Sequence, residues 1–158
     1  MYKKILFICT GNVCRSAMAE AMSKKMFKDF GLKGIKVWSR GLAGSRMIQV
    51  PDEILKIMEE EQTSLHAHVS KPLKAKDLSK ADLVLVMENY HRERIVADFP
   101  ELAGKVFLFK QFAGAGAGDI EDPIGMEEKD YRACKEEIKN YLQKVILKIR
   151  IANDSNDS

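Results

Sequence analysis

The chain has 158 residues, 46% of them apolar, and a net charge of +3, with acidic and basic residues interleaved along its length. That length suits one hydrophobic core and is short for two, and so small a bias of charge argues against nucleic acid or a membrane surface as partner. No apolar run approaches the roughly 18 residues of a membrane span. The opening Met1-Tyr2-Lys3-Lys4 leads straight into a strand rather than into a signal peptide, and the three cysteines read as reduced thiols. The expectation is a monomeric cytoplasmic domain over residues 1–151, with a disordered polar tail at 152–158.

Residues 3–9 read as a first strand, apolar enough to be covered on both faces as in a parallel sheet. The loop Cys9-Thr10-Gly11-Asn12-Val13-Cys14-Arg15-Ser16 follows, and a helix is expected from Ser16 to Phe30. Ala19, Met22, Met26 and Phe30 form its apolar stripe, with Glu20, Lys24 and Lys28 turned to water. Gly31 and Gly34 end it, and Ile35–Ser39 alternates as a second strand. Pro51 opens the next helix, whose buried face is Ile54, Leu55 and Met58. His66-Ala67-His68 has the look of a metal pair, but no second ligand cluster accompanies it and no metal is expected.

Asp82–Met87 is the second clear buried strand, and Asn89 is placed to cap a helix that Pro100 stops. Lys105–Phe109 gives the fourth strand. Ala113–Gly118 is not a dinucleotide fingerprint, because its third glycine comes one position early, and it reads as a mobile loop. Asp122-Pro123 then precedes a long helix, about Glu127 to Arg150, with Tyr131, Cys134, Ile138, Tyr141, Val145 and Ile149 on one face. This alternation predicts an α/β fold, an open parallel four-stranded sheet of flavodoxin-like or Rossmann-like order 2-1-3-4 with helices on both faces. Ligands of such folds bind at the carboxyl ends of the strands. The Cys9 loop, Ser39, Met87-Glu88 and the loop holding Asp122 all fall there.

The chemistry is concentrated between Cys9 and Ser16. Backbone N–H groups of a tight loop and a helix N-terminus can converge on a tetrahedral dianion, and Arg15 adds a charged planar fork for two of its oxygens. Gly11 lets the backbone turn closely around the anion. Cys9 at the base of the loop would then face phosphorus as a nucleophile. Departure of the leaving oxygen needs a proton donor, and Asp122 is the candidate acid. Cys134, on an apolar helix face, reads as a small buried hydrophobe.

The motif from Cys9 to Ser16, with Asp122-Pro123 ahead of the last helix, resembles the low-molecular-weight protein tyrosine phosphatases of bacterial type, over about residues 2–150. The resemblance implies that Cys9 forms a phosphocysteine, Asp122 protonates the leaving group and later activates water, and Arg15 with the amides of Thr10, Gly11, Asn12, Val13, Cys14 and Ser16 holds the phosphoryl oxygens. It implies a supporting network of Asn12, Ser16, Ser39 and His68, a reversible disulfide between Cys9 and Cys14, and no cofactor. Substrates would be phosphorylated proteins, with inorganic phosphate as product.

Ile124-Gly125 stand where eukaryotic relatives carry tyrosines, and this segment also resembles the family's protein arginine phosphatases. Val13 is the discriminating position: arginine phosphatases carry threonine there, whereas an apolar residue suits the phenyl ring of phosphotyrosine. Arsenate reductases of the family need further cysteines, and residues 70–95 contain none. A phosphocysteine carrier domain would have no use for Arg15 with Asp122, and a non-catalytic phosphate-binding module is the remaining alternative.

Overall fold

A computed structural model describes residues 1–157. Four parallel strands, β1 (Lys4–Cys9), β2 (Lys36–Gly41), β3 (Leu83–Val86) and β4 (Val106–Leu108), form one sheet of order β2-β1-β3-β4. β1 lies at its centre, with Ile5 opposite both Val37 and Leu83. Because side chains of a strand alternate, Ile5, Phe7 and Cys9 point to one core while Leu6 and Ile8 point to another. Helices α1 (Arg15–Asp29), α2 (Asp52–Glu60), α5 (Phe109–Phe112) and α6 (Glu128–Asp154) cover the first face. α3 (Ala75–Lys80) and α4 (Asn89–Asp98) cover the second, and the 3₁₀ turn Pro100–Lys105 leads from α4 into β4. This is the predicted architecture and strand order.

The structure adds a helix that the sequence pattern did not mark, α3, and it corrects several buried faces. α3 is too short and too polar to show a period, and its one deeply buried apolar side chain is Leu78. The buried face of α1 is rotated from the predicted stripe: Met18, Ala19, Met22 and Phe27 are buried and Phe30 is half exposed. In α2 Ile57, rather than Leu55, completes the face with Ile54 and Met58. In α6 Leu142 takes the fully buried position, and Tyr141 packs edge-on against Phe109. The three glycines of Ala113–Gly118 all have positive φ, from 77° to 128°, which a side chain would resist.

The disordered tail expected from residue 152 is corrected as well, since α6 continues through Asp154. Asn153 is 5% exposed, accepts from the Tyr2 N–H (2.7 Å) and donates to the Tyr2 carbonyl (3.1 Å). Those two bonds satisfy backbone groups of the chain just before β1, and the polar composition of the segment hides them. Ser158, the last residue of the expected tail, lies outside the described residues.

Candidate active site

β1 ends at Cys9 and α1 begins at Arg15, so the intervening residues must turn at the carboxyl edge of the sheet. The turn is made at Asn12, which has a φ of 56° and is fully buried; asparagine tolerates this left-handed conformation better than most residues. Its side chain braces the loop from within. Nδ2 donates to Ser16 Oγ (2.9 Å) and Ser39 Oγ (2.8 Å), and Oδ1 accepts from the Lys71 N–H (3.1 Å). With both Asn12 protons committed, the Ser16 hydroxyl is free to donate to Cys9 Sγ at 2.9 Å, and the Asn12 N–H donates to the same sulfur at 3.2 Å. Ser39 passes its own proton to Glu20 Oε1 (2.7 Å). Two donor chains therefore diverge from the Asn12 amide, one through Ser16 to Cys9 and the other through Ser39 to Glu20.

His68 Nε2 donates to the Asn12 carbonyl at 2.6 Å, and Ser70 Oγ donates to the Gly11 carbonyl at 2.8 Å. Gly41 has no room for a side chain, since a β-carbon would stand 2.5 Å from the Thr10 carbonyl oxygen.

Arg15 is 1% exposed. Nη1 donates to Glu88 Oε2 (2.9 Å) and to the Ile120 carbonyl (2.8 Å), and Nη2 lies 3.4 Å from Asp122 Oδ2. Glu88 and Ile120 take up the two protons of Nη1, so the Nε–Nη2 edge remains for an anion. Burial works against the Arg15 charge, but Cys9, Glu88 and Asp122 outweigh it and raise its pKa above the ordinary value. Asp122 is 42% exposed in its side chain and accepts from the Ile124 N–H (3.1 Å). Its loop is fastened to the sheet edge by the Ile120 N–H on the Met87 carbonyl (2.9 Å) and by the Asn89 N–H on Asp119 Oδ1 (2.6 Å). Cys9, Arg15 and Asp122 thus come from separate segments that meet at one edge.

The start of α4 adds residues that sequence reasoning missed. Glu88, not Asn89, is the capping position, and its N–H donates to Nδ1 of His91 (3.0 Å). That bond fixes the tautomer, so His91 Nε2 donates to Thr10 Oγ1 (2.9 Å). Burial, and then the charge of Arg15, push the His91 pKa down to about 4, so the ring is neutral at pH 7. The Tyr90 hydroxyl also meets Thr10 Oγ1 (2.8 Å). Position just beyond a buried strand is the one signal that marked Glu88; nothing in the spacing marked Tyr90 or His91. Glu20 was expected in water and instead ends the Ser39 branch of the network.

Cys9, Cys14 and Cys134 are all free and buried. A hydrogen bond with Cys134, followed by burial, holds the Cys14 thiol well above its ordinary pKa. Among the described residues no group of three or more metal-ligating side chains occurs, and no helix is long and apolar enough to cross a membrane.

The sequence pattern of the family described as "Low molecular weight phosphotyrosine protein phosphatase" matches residues 4–155. The chain is 33% identical over 146 residues to a Bacillus subtilis (strain 168) protein-arginine-phosphatase, covering 92% of this chain and 96% of the relative. A low molecular weight protein tyrosine phosphatase of T. tengcongensis superposes with a TM-score of 0.86 at 36% identity, over 92% of this chain and 98% of that one. A cysteine-to-serine variant of the YwlE arginine phosphatase, with its active-site serine phosphorylated, superposes with a TM-score of 0.88 at 32% identity, over 93% and 95% of the two chains. The strand order, the Cys9–Arg15 loop and these likenesses agree: the chain belongs to the low molecular weight protein tyrosine phosphatase family of cysteine-dependent phosphatases.

Proposed function

We propose that the protein hydrolyses phosphotyrosine in proteins through a phosphocysteine intermediate. The Cys9 sulfur attacks phosphorus in line with the leaving oxygen, and Asp122 delivers a proton to that oxygen as the P–O bond breaks. Arg15, through its Nε–Nη2 edge, and the inward-facing loop amides carry the charge of the equatorial oxygens. Asp122 then accepts a proton from the water that attacks the phosphocysteine, releasing inorganic phosphate and restoring the Cys9 sulfur. The phosphorylated serine in the related arginine phosphatase supports a covalent phosphoryl step at this loop position. Glu88 keeps Arg15 oriented between turnovers, and Asn12, Ser16, Ser39 and His68 hold the loop shape.

The observation that carries the choice of substrate is Val13. It is an apolar side chain, 5% exposed, with no hydroxyl to meet a guanidinium, and Tyr90 and Ile124, each 44% exposed, offer apolar surface for a ring. Phosphoarginine is the second reading, favoured by the likeness to the Bacillus subtilis protein-arginine-phosphatase and by a half-exposed carboxylate, Asp122, at the site. Rates on matched phosphotyrosine, phosphoserine and phosphoarginine peptides decide between them. The phosphotyrosine reading expects the aryl ester to be fastest, and Val13→Thr to move the ratio toward phosphoarginine by about 10-fold, the worth of one polar contact. Faster cleavage of phosphoarginine by the native chain overturns it.

A further inference from the structure

A strongly basic cleft of about 530 Å³ adjoins the segments that brace the phosphate loop. Arg40, Arg46, Lys71, Lys74 and Lys76 line it, with Asp77 as the one carboxylate of the lining. Five positive charges and one negative leave +4, more than the +3 of the whole chain, so the rest of the molecule is slightly negative. Asp77 is already engaged, by Arg40 Nε (3.2 Å) and by the Lys74 N–H (3.0 Å). Arg46, Lys71, Lys74 and Lys76 are exposed, and among the described residues no carboxylate pairs with any of them. Four unpaired cations on one concavity focus a positive field that the interleaved sequence conceals.

The cleft is mechanically joined to the catalytic loop. The Ser45 N–H donates to Ser70 Oγ (2.9 Å), which donates to the Gly11 carbonyl, and the Lys71 N–H reaches Asn12 Oδ1 (3.1 Å). A β-carbon on Gly44 would lie 2.3 Å from the Lys71 carbonyl oxygen, so the two walls touch along their backbones. A second cleft of about 390 Å³ shares Arg40 and Asp77 and adds Lys4, Lys36 and Lys80 beside Trp38, extending the basic track away from the loop. The opposite rim of the site carries the reverse sign, through Asp119, Glu121 and Asp122.

We propose that the Arg40–Arg46–Lys71–Lys74–Lys76 cleft receives an acidic segment of the phosphoprotein substrate, on one flank of the residue whose phosphoryl group enters the Cys9 loop. This rests on the phosphatase reading. The two rims of opposite sign fix the direction in which the peptide lies, and the selection acts through binding rather than through the chemical step.

The test compares para-nitrophenyl phosphate with two phosphotyrosine peptides of equal length, one with glutamates flanking the phosphoresidue and one with glutamines. The native protein is expected to favour the acidic peptide about 10-fold in kcat/KM at low ionic strength, through KM, with the preference shrinking as salt shortens the screening length. The triple variant Arg46→Glu, Lys74→Glu, Lys76→Glu is expected to lose that preference while turning over para-nitrophenyl phosphate as before. Arg46→Ala with Lys76→Ala, a milder change, is expected to fall between. Equal treatment of the two peptides by the native protein overturns the proposal, as does a preference that survives charge reversal. Binding of duplex DNA or of phosphatidylserine vesicles that the triple variant loses, without any peptide preference, assigns the cleft to another partner and also overturns it. Absence of para-nitrophenyl phosphate turnover strikes the phosphatase reading instead. In that case, charge-sensitive binding of the acidic peptide to Cys9→Ser, read by fluorescence anisotropy, still upholds the cleft.

Discussion

Asn12 shows how one residue can organise a site: its left-handed backbone shapes the loop, and its amide directs the Ser16 proton to Cys9 and meets the Ser39 hydroxyl. We propose a different task for Cys14, the N-cap of α1. If peroxide converts Cys9 to its sulfenic acid, the Cys14 thiol can displace water and close a disulfide that added thiol reopens. The hydrogen bond that the Cys14 thiol makes to Cys134, followed by burial, raises the Cys14 pKa and so limits the thiolate that makes this attack. Cys134→Ala removes the first of these and should speed disulfide closure at pH 7 several-fold, followed by mass spectrometry after a peroxide pulse. Cys14→Ser should make the loss of activity harder to reverse with thiol, because the sulfenic acid is left open to further oxidation. An unchanged closure rate in Cys134→Ala would count against the coupling. Sequence spacing made Cys134 an inert hydrophobe, because its partner lies at the start of another helix.

At the scale of elements, the beginning of α4 is held by a histidine that works only when neutral. His91 accepts from the Glu88 N–H on one nitrogen and donates to Thr10 on the other. Its pKa is about 4 in the folded protein and about 6.5 in an unfolded chain. Below pH 6.5 the unfolded state therefore takes up a proton that the folded state refuses. The stability that His91 contributes is fully present above pH 6.5 and declines as pH falls toward 4, by roughly 3 kcal/mol in total. His91→Gln keeps an acceptor for the cap but does not titrate. Urea midpoints at pH 7, 5.5 and 4.5 should fall more steeply for the native protein than for the variant; parallel declines would refute the assignment. Element type was legible for β1 as an unbroken apolar run, and for α1 and α6 as apolar residues at helical spacing. α3 and the cap of α4 were not, because α3 has too few turns to display a period and the cap is a histidine contact that composition does not advertise.

For the molecule as a whole, α6 closes the fold by reaching back to the start of the chain. Asn153→Ala would leave the Tyr2 N–H and carbonyl without their partner near the sheet, at a cost of about 1–3 kcal/mol in chemical denaturation. A change within a few tenths of a kcal/mol would mean that water replaces the side chain.

By itself the sequence determined the alternation of strands and helices and singled out the turn from Cys9 to Ser16 and Asp122 as the candidate site, because each is written in short-range spacing or in a family motif. Only the tertiary structure decided that Glu20 and Glu88 belong to the site, that His91 is neutral, and that Cys14 meets Cys134. It also gathered cations from residues 40, 46, 71, 74 and 76 into one cleft. These depend on which segments a parallel sheet brings to the same edge, and a linear pattern of charges carries no record of that.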